Sequence, residues 1–378
     1  MNHSWLHPFF NFLLILNILL LSLNMERYKQ SSLASKSLRT GGLFCNLADL
    51  HAHIGTSIPP SVYWHIAQSE GYKLSKRDYH EFVDLIVLSP SRKSTLKGYL
   101  DSVYHPILDK LSSGSLAIEK GVYETMSGAY RSNNITLLEL RGNPMKHNKD
   151  GEVDLDHVIM AMLRGMEKAL LEYPKLRAGI IFCLDRQFSV VKNSIIIDKA
   201  IKYHKRGVVG IDFSNYNNGG FRFKDYSLLV KKARRAGLKI TAHSGETDDT
   251  NDMWDCIRYA NPNRIGHGIK AAYDKKLMKV LKVKDIVLEV CPFSNLMTKA
   301  VKDNDELKFV LQTFFENGVK VTINTDWPEM IKDSHLVKQY EYLEKNNILT
   351  RQQIEQTIKW SFQYTFINLK NKYDNLYL

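Results

Sequence analysis

Several histidines and one aspartate stand out in this sequence by where they sit, each closing a short apolar run. The clearest is Leu47-Ala48-Asp49-Leu50-His51-Ala52-His53-Ile54, which ends in two histidines spaced i, i+2. On a β-strand, residues two apart face the same side, so two imidazoles project together from one strand end. Neutral imidazole is a common ligand for zinc and similar divalent ions. A lone His-x-His also fits a solvated strand end, so the pair gains meaning only if other strand ends supply further ligands. They do: His243 lies in Thr-Ala-His-Ser-Gly-Glu, His267 in Arg-Ile-Gly-His-Gly-Ile and Asp326 in Ile-Asn-Thr-Asp-Trp-Pro. Each has a bland alternative. His243 fits a cap or a core position, the glycines beside His267 fit a plain turn, and Asp326 fits an N-cap. Jointly they provide three histidines and one carboxylate, enough to ligate a divalent metal, with a fourth histidine left for catalysis.

The elements that must hold these residues read as short apolar strands alternating with longer helices. Strands are expected at Cys45–Leu50, Ile135–Leu140, Ala178–Leu184, Val208–Phe213, Lys239–His243, Arg264–His267, Ile286–Cys291 and Val319–Thr325. Several are continuous apolar runs, the pattern of parallel strands buried on both faces. Helices are expected at Asp156–Leu171, Ser194–Lys205, Tyr226–Ala236 and Lys275–Val283, with Gly207, Gly237 and Gly318 at helix ends as left-handed caps. The fold class is α/β, and eight strands separated by helices make a (β/α)8 TIM barrel, whose catalytic groups sit at the C-terminal strand ends. The long gap after the first strand holds Tyr63–Ser69, Asp78–Val87 and Ala117–Arg131, read as a helical insertion over the mouth of the barrel.

Bulk properties agree with one domain. The 378 residues are 44% hydrophobic and 24% charged, ordinary for a globular chain. The net charge of +12 admits an anionic partner, a phosphorylated small substrate among them. The basic residues are spread over helix faces, however, and no basic tract with interleaved aromatics or helix-turn-helix signature points to nucleic acid. Four scattered cysteines without a C-x-x-C pair argue against a disulfide framework and suit a reducing compartment. Residues 1–24 form a hydrophobic extension whose apolar run, Pro8 to Leu23, has the length of a signal core and is short for a membrane span. No Lys or Arg precedes it, and Arg27 and Lys29 follow, which would keep the downstream domain cytoplasmic. Residues 25–378 are therefore expected to form a single cytoplasmic catalytic domain. The extension before it is an anchor or a misassigned start, with Met25 as an alternative initiator.

The motifs together resemble the adenosine deaminase family. His51-Ala52-His53, His243-Ser244-Gly245-Glu246, Arg264-Ile265-Gly266-His267-Gly268, Leu288-Glu289-Val290-Cys291-Pro292-Phe293-Ser294-Asn295 and Asn324-Thr325-Asp326 occur in that family's order. Leu138-Glu139-Leu140-Arg141 also looks like its second-strand segment, and the resemblance runs from about Asn46 to Met330. It implies a zinc-dependent hydrolytic deaminase of adenosine or a related 6-aminopurine nucleoside, working in purine salvage. His51, His53, His243 and Asp326 match the family's zinc ligands. Zn²⁺ lowers the pKa of a bound water from 15.7 to about 7. Glu246 would deliver a proton to ring N1, and His267, assisted by Asp326, would orient the water or take its proton.

Where the chain departs from the family pattern, the departures fall on substrate contacts. Gly55-Thr56 stands where the family carries Asp-Gly or Asn-Gly, so Gly55 lacks the side chain that meets the sugar end. Trp327 replaces a carboxylate that contacts the purine; it can stack or donate one N–H but cannot accept. Asn215 replaces a glycine whose backbone N–H meets the purine, with Gly219 and Gly220 as candidates to supply that approach. The rival reading keeps the metal and changes the substrate to an N6-substituted adenine nucleotide, adenine or another amino-heterocycle. A non-enzymatic relative on a degenerate barrel would have lost ligands or Glu246, and all are present. The cytidine-deaminase type of zinc site requires a Pro-Cys-x-x-Cys that the chain lacks.

Overall fold

The computed structural model describes residues 44–148, 154–247 and 249–369. The described residues from Leu47 onward form one compact unit; the apolar run near the N-terminus lies outside the described residues. Among the described residues, no helix is long and apolar enough to cross a membrane.

Eight parallel strands follow one another around the sheet in chain order: β1 (Leu47–His53), β2 (Ile135–Gly142), β3 (Arg177–Asp185), β4 (Val208–Ser214), β5 (Lys239–Ser244), β6 (Arg264–His267), β7 (Val287–Val290) and β8 (Val321–Ile323). Just past β8 the ring is drawn together by backbone bonds, Asp326 N donating to the His51 carbonyl at 2.7 Å and His53 N to the Asp326 carbonyl at 3.1 Å. The architecture is the nearly closed (β/α)8 barrel that the alternating pattern implies. β1 is longer than its apolar run suggests: it carries both histidines, and His53 is paired with Arg141 on β2. β8 is shorter than expected, because Asn324 turns its side chain back onto Leu50 N at 3.0 Å and Asp326 adopts φ +59°.

The segment between β1 and β2 is helical, with helices Pro60–Ser69, Tyr79–Ile86 and Ser115–Asn133. Asp78 caps the second, accepting from His80 N and Glu81 N. A short helix, Leu96–Tyr99, runs into a π-helical stretch, Leu100–Leu108. Outside the barrel, Asp156–Glu172 packs on Ser115–Asn133 so closely that a Cβ on Gly165 would lie 2.5 Å from the Glu119 carbonyl. The expected caps Gly207, Gly237 and Gly318 all have positive φ. After the last helix, Arg351–Gln363, the chain packs onto the barrel interior. The Tyr364 carbonyl accepts from Arg264 at 2.8 Å, Phe366 N donates to Glu139, and the Phe366 ring lies 3.5 Å from the Arg264 guanidinium carbon.

Candidate metal and catalytic site

At the C-terminal ends of the strands, ligand atoms of His51, His243, His267 and Asp326 all lie within 4.8 Å of one another. His53 joins them: its Nε2 is 3.0 Å from His243 Nε2 and 3.4 Å from Asp326 Oδ1. His51 Nε2 is also 3.4 Å from Asp326 Oδ1. Tetrahedral donors 2.0–2.2 Å from a zinc ion lie roughly 3.3–3.6 Å apart, so the spacing suits a shared ion. Two observations support that fit. His51 Nε2 and Asp326 Oδ1 are buried without a hydrogen-bond partner among the described residues, and buried polar atoms are rarely left so. The second is the 3.0 Å approach of His53 Nε2 to His243 Nε2, a spacing that one shared proton or one shared cation bridges.

The donors are oriented from behind. Glu289 Oε2 meets His51 Nδ1 at 2.8 Å and Asp212 Oδ2 meets His243 Nδ1 at 3.0 Å, which turns both Nε2 atoms inward. Ser294 Oγ donates to Asp326 Oδ2 at 2.6 Å, and the Asn295 amide meets His267 Nδ1 at 3.0 Å. Burial holds the imidazoles of His53 and His267 well below their ordinary pKa, in the neutral form a ligand or base needs. Burial works against charge on Asp212 and Glu289 as well. His243 and Arg141 beside the first, and Arg141 and Arg264 beside the second, nevertheless hold both carboxyls below the usual range. His267 and Asp326 have φ of +61° and +59°, left-handed backbone that non-glycine residues seldom adopt.

A pocket with about 80 Å³ open to a water-sized sphere lies over these groups, and His53, His243, Glu246, His267 and Asp326 line its metal end. Glu246 Oε2 is 3.6 Å from His267 Nε2, and its Oε1 faces Thr298 Oγ1 at 3.4 Å. Of the residues expected to meet substrate, Asn215 and Trp327 line the pocket. Asn215 is in left-handed backbone and directs its amide to Asp185 at 3.1 Å. Trp327 is buried and stacks on Tyr99, ring centres 4.7 Å apart. Gly55 is buried behind the wall, and Gly219 stands in an exposed turn away from it. Sequence reasoning missed Tyr104, His105, Asn143 and Lys146 in the wall. It also assigned no role to Asp212 or Glu289, although both lie in or beside the motifs.

Comparison with known proteins accounts for this arrangement. The adenosine deaminase family model matches residues 46–376. An adenosine deaminase of Clostridium kluyveri is 30% identical over 329 residues, covering 87% of this chain and 91% of its own length. Among solved structures, an adenine deaminase from Arthrobacter aurescens superposes with a TM-score of 0.76 at 20% identity, covering 85% of this chain and 94% of that one. An amidohydrolase from Burkholderia ambifaria with bound zinc gives 0.72 at 18% identity, covering 88% of each chain. With the fold, the histidine cluster and these relatives in agreement, the chain belongs to the adenosine deaminase family and is a hydrolytic deaminase of adenosine-like compounds with a metal site.

Proposed function

We propose that the protein deaminates adenosine, or a closely related 6-aminopurine nucleoside, to an inosine-type product and ammonia, with Zn²⁺ as its metal and a role in purine salvage. The observation that carries the reading is Glu246 Oε2 3.6 Å from His267 Nε2, beside a ring of inward-facing donors. His51, His53, His243 and Asp326 would hold the ion, as in the family resemblance. When bound, zinc makes a hydroxide nucleophile available near neutral pH. Glu246, 5% exposed at the pocket wall, delivers a proton to ring N1 and so makes C6 electrophilic. The Asn295 amide nitrogen donates to His267 Nδ1 at 3.0 Å, so the neutral ring carries its proton on Nε2, from which it orients the attacking water. Asp326, anchored by Ser294, assists in taking that water's proton. Trp327, stacked on Tyr99, closes the pocket with apolar surface.

A nucleotide substrate is the second reading, and Lys146 and His105 are the pocket-lining groups that could meet its phosphate. Both already face carboxylates, Asp185 at 2.5 Å and Asp109 at 2.7 Å, which favours the uncharged nucleoside. The test is product formation from adenosine, 2′-deoxyadenosine, AMP, N6-methyl-AMP and adenine. Adenosine is expected to react best. Glu246→Gln should lower turnover by about 10²–10⁴-fold with metal retained, and chelation should abolish it. A metal-loaded protein inert to every 6-aminopurine in the panel would overturn the reading.

A further inference from the structure

Gly55 lies two residues beyond His53, and a Cβ built on it would meet Tyr104 Oη at 2.7 Å and the phenol ring at 3.0 Å. The space that a side chain at position 55 would need is therefore filled by Tyr104. The backbone there is pinned from another direction, the Gly55 carbonyl accepting from Tyr63 Oη at 2.6 Å. Tyr104 belongs to the π-helical stretch Leu100–Leu108, a geometry found mostly as local departures at functional sites. Its ring lines the pocket, and its hydroxyl forms no hydrogen bond among the described residues. Burial keeps the phenol well above its ordinary pKa, so at neutral pH it is a donor. A pocket-lining donor without a protein partner is a group available to a ligand. On the same wall His105 gives its Nδ1 to Asp109 at 2.7 Å, which leaves Nε2 as a second polar atom.

The barrel decides which part of a ligand reaches this wall. β1 and β5 stand opposite each other in a ring of eight strands. Glu246 follows β5, whereas Gly55 follows β1 and Tyr104 stands against it. In a purine, the N1–C6 edge and N9 lie at opposite ends of the fused rings. With N1 at Glu246, the N9 substituent points to the β1 side.

We infer that Tyr104 is a specificity-determining residue whose Oη donates to a hydroxyl of the sugar on N9, in the place that a side chain at position 55 would otherwise occupy. This rests on the deaminase reading above. The test compares wild type, Tyr104→Phe and Gly55→Ala in steady-state turnover of adenosine and adenine. Direct titration with inosine and hypoxanthine, the corresponding products with and without sugar, runs alongside. Tyr104→Phe is expected to lower kcat/KM for adenosine about tenfold through KM, and to weaken inosine binding about as much. Adenine and hypoxanthine should shift less than twofold. Gly55→Ala, whose methyl must displace the phenol, should reproduce the sugar-dependent defect. Equal losses on ligands with and without sugar, or none at all, would overturn the inference while the deaminase reading stands. A wild-type protein that neither turns over adenosine nor binds inosine overturns both.

Discussion

Two layers of the barrel interior are built from charged and polar side chains, and they are finished differently. In the lower layer Arg264 bonds Glu289 through Nε at 2.6 Å, pairs with Glu139, and donates to the Tyr364 carbonyl. Arg141 bridges Asp212 at 3.0 Å and Glu289 at 2.8 Å, and Thr241 closes on Glu289 at 3.0 Å. All five charged groups are fully buried, and apart from Arg141 Nε their polar atoms are bonded within the chain. In the upper layer, one carboxyl oxygen and one imidazole nitrogen have no hydrogen-bond partner among the described residues, and two further imidazole nitrogens have only each other. The lower layer is complete as it stands, whereas the upper one is complementary to something added.

The comparison breaks first, and with the largest effect, if the layers respond alike to losing one member. Arg264→Met leaves Glu139 and Glu289 buried with a partner missing, and this should cost about 3–5 kcal/mol in urea unfolding. Asp326→Asn removes a charge from the layer that lacks partners. It should cost the metal-free protein less than Arg264→Met does, because Asp326 faces imidazoles at 3.4 Å or more and keeps its Ser294 partner, whereas Arg264 is bonded directly to two carboxylates. The same variant should lose its metal in elemental analysis of the dialysed protein. Similar unfolding midpoints for the two variants would mean that the lower layer is not a structural unit.

A smaller effect tests whether the layers communicate. Arg141 touches the two carboxylates that orient His51 and His243, so one guanidinium indexes both imidazoles. Lysine is a point charge and cannot bridge two carboxylates in that way. Arg141→Lys should therefore weaken zinc affinity about 10–100-fold in chelator competition, the usual cost of disturbing the groups behind metal-bound histidines. Unchanged affinity in a folded Arg141→Lys protein would separate the layers.

Much of the upper layer was legible in the sequence because a barrel brings strand ends together, and strand ends can be read from apolar runs. The helix Lys275–Val283 matched its expected bounds, since Asp274 supplies a cap just before an amphipathic run. β1 was read short because histidines look like the end of a strand, and only pairing with β2 shows that it continues. The lower layer was harder. Glu139, Arg141, Arg264 and Glu289 stand in the sequence only as members of separate motifs, and only ring closure makes them partners. Tyr104 gave no local signal, because its significance is the space at Gly55, which is distant in sequence. The π-helical stretch, with Pro106 inside it, likewise follows no simple period.

The smallest effect comes from outside the barrel, where the same residue types meet water. Asp156 takes Lys199 at 2.6 Å and Lys202, in a geometry resembling that of the buried pairs. Partial burial pushes the Asp156 carboxyl up, but the two lysines overcome it and bring the pKa down to about 2. The folded pKa lies below the unfolded value, so the stabilisation is present above about pH 4 and fades as pH falls through 2. That lowering would correspond to about 2 kcal/mol without screening, yet the Lys202 side chain is 56% exposed. Asp156→Asn should therefore cost about 1 kcal/mol or less at pH 7, less again in 1 M salt, and converge with wild type near pH 2. The Arg264 penalty should persist in salt, because a fully buried pair is little screened. If salt erased both penalties equally, burial would not be what distinguishes the lower layer, and its contrast with the metal end would have to rest on bonding alone.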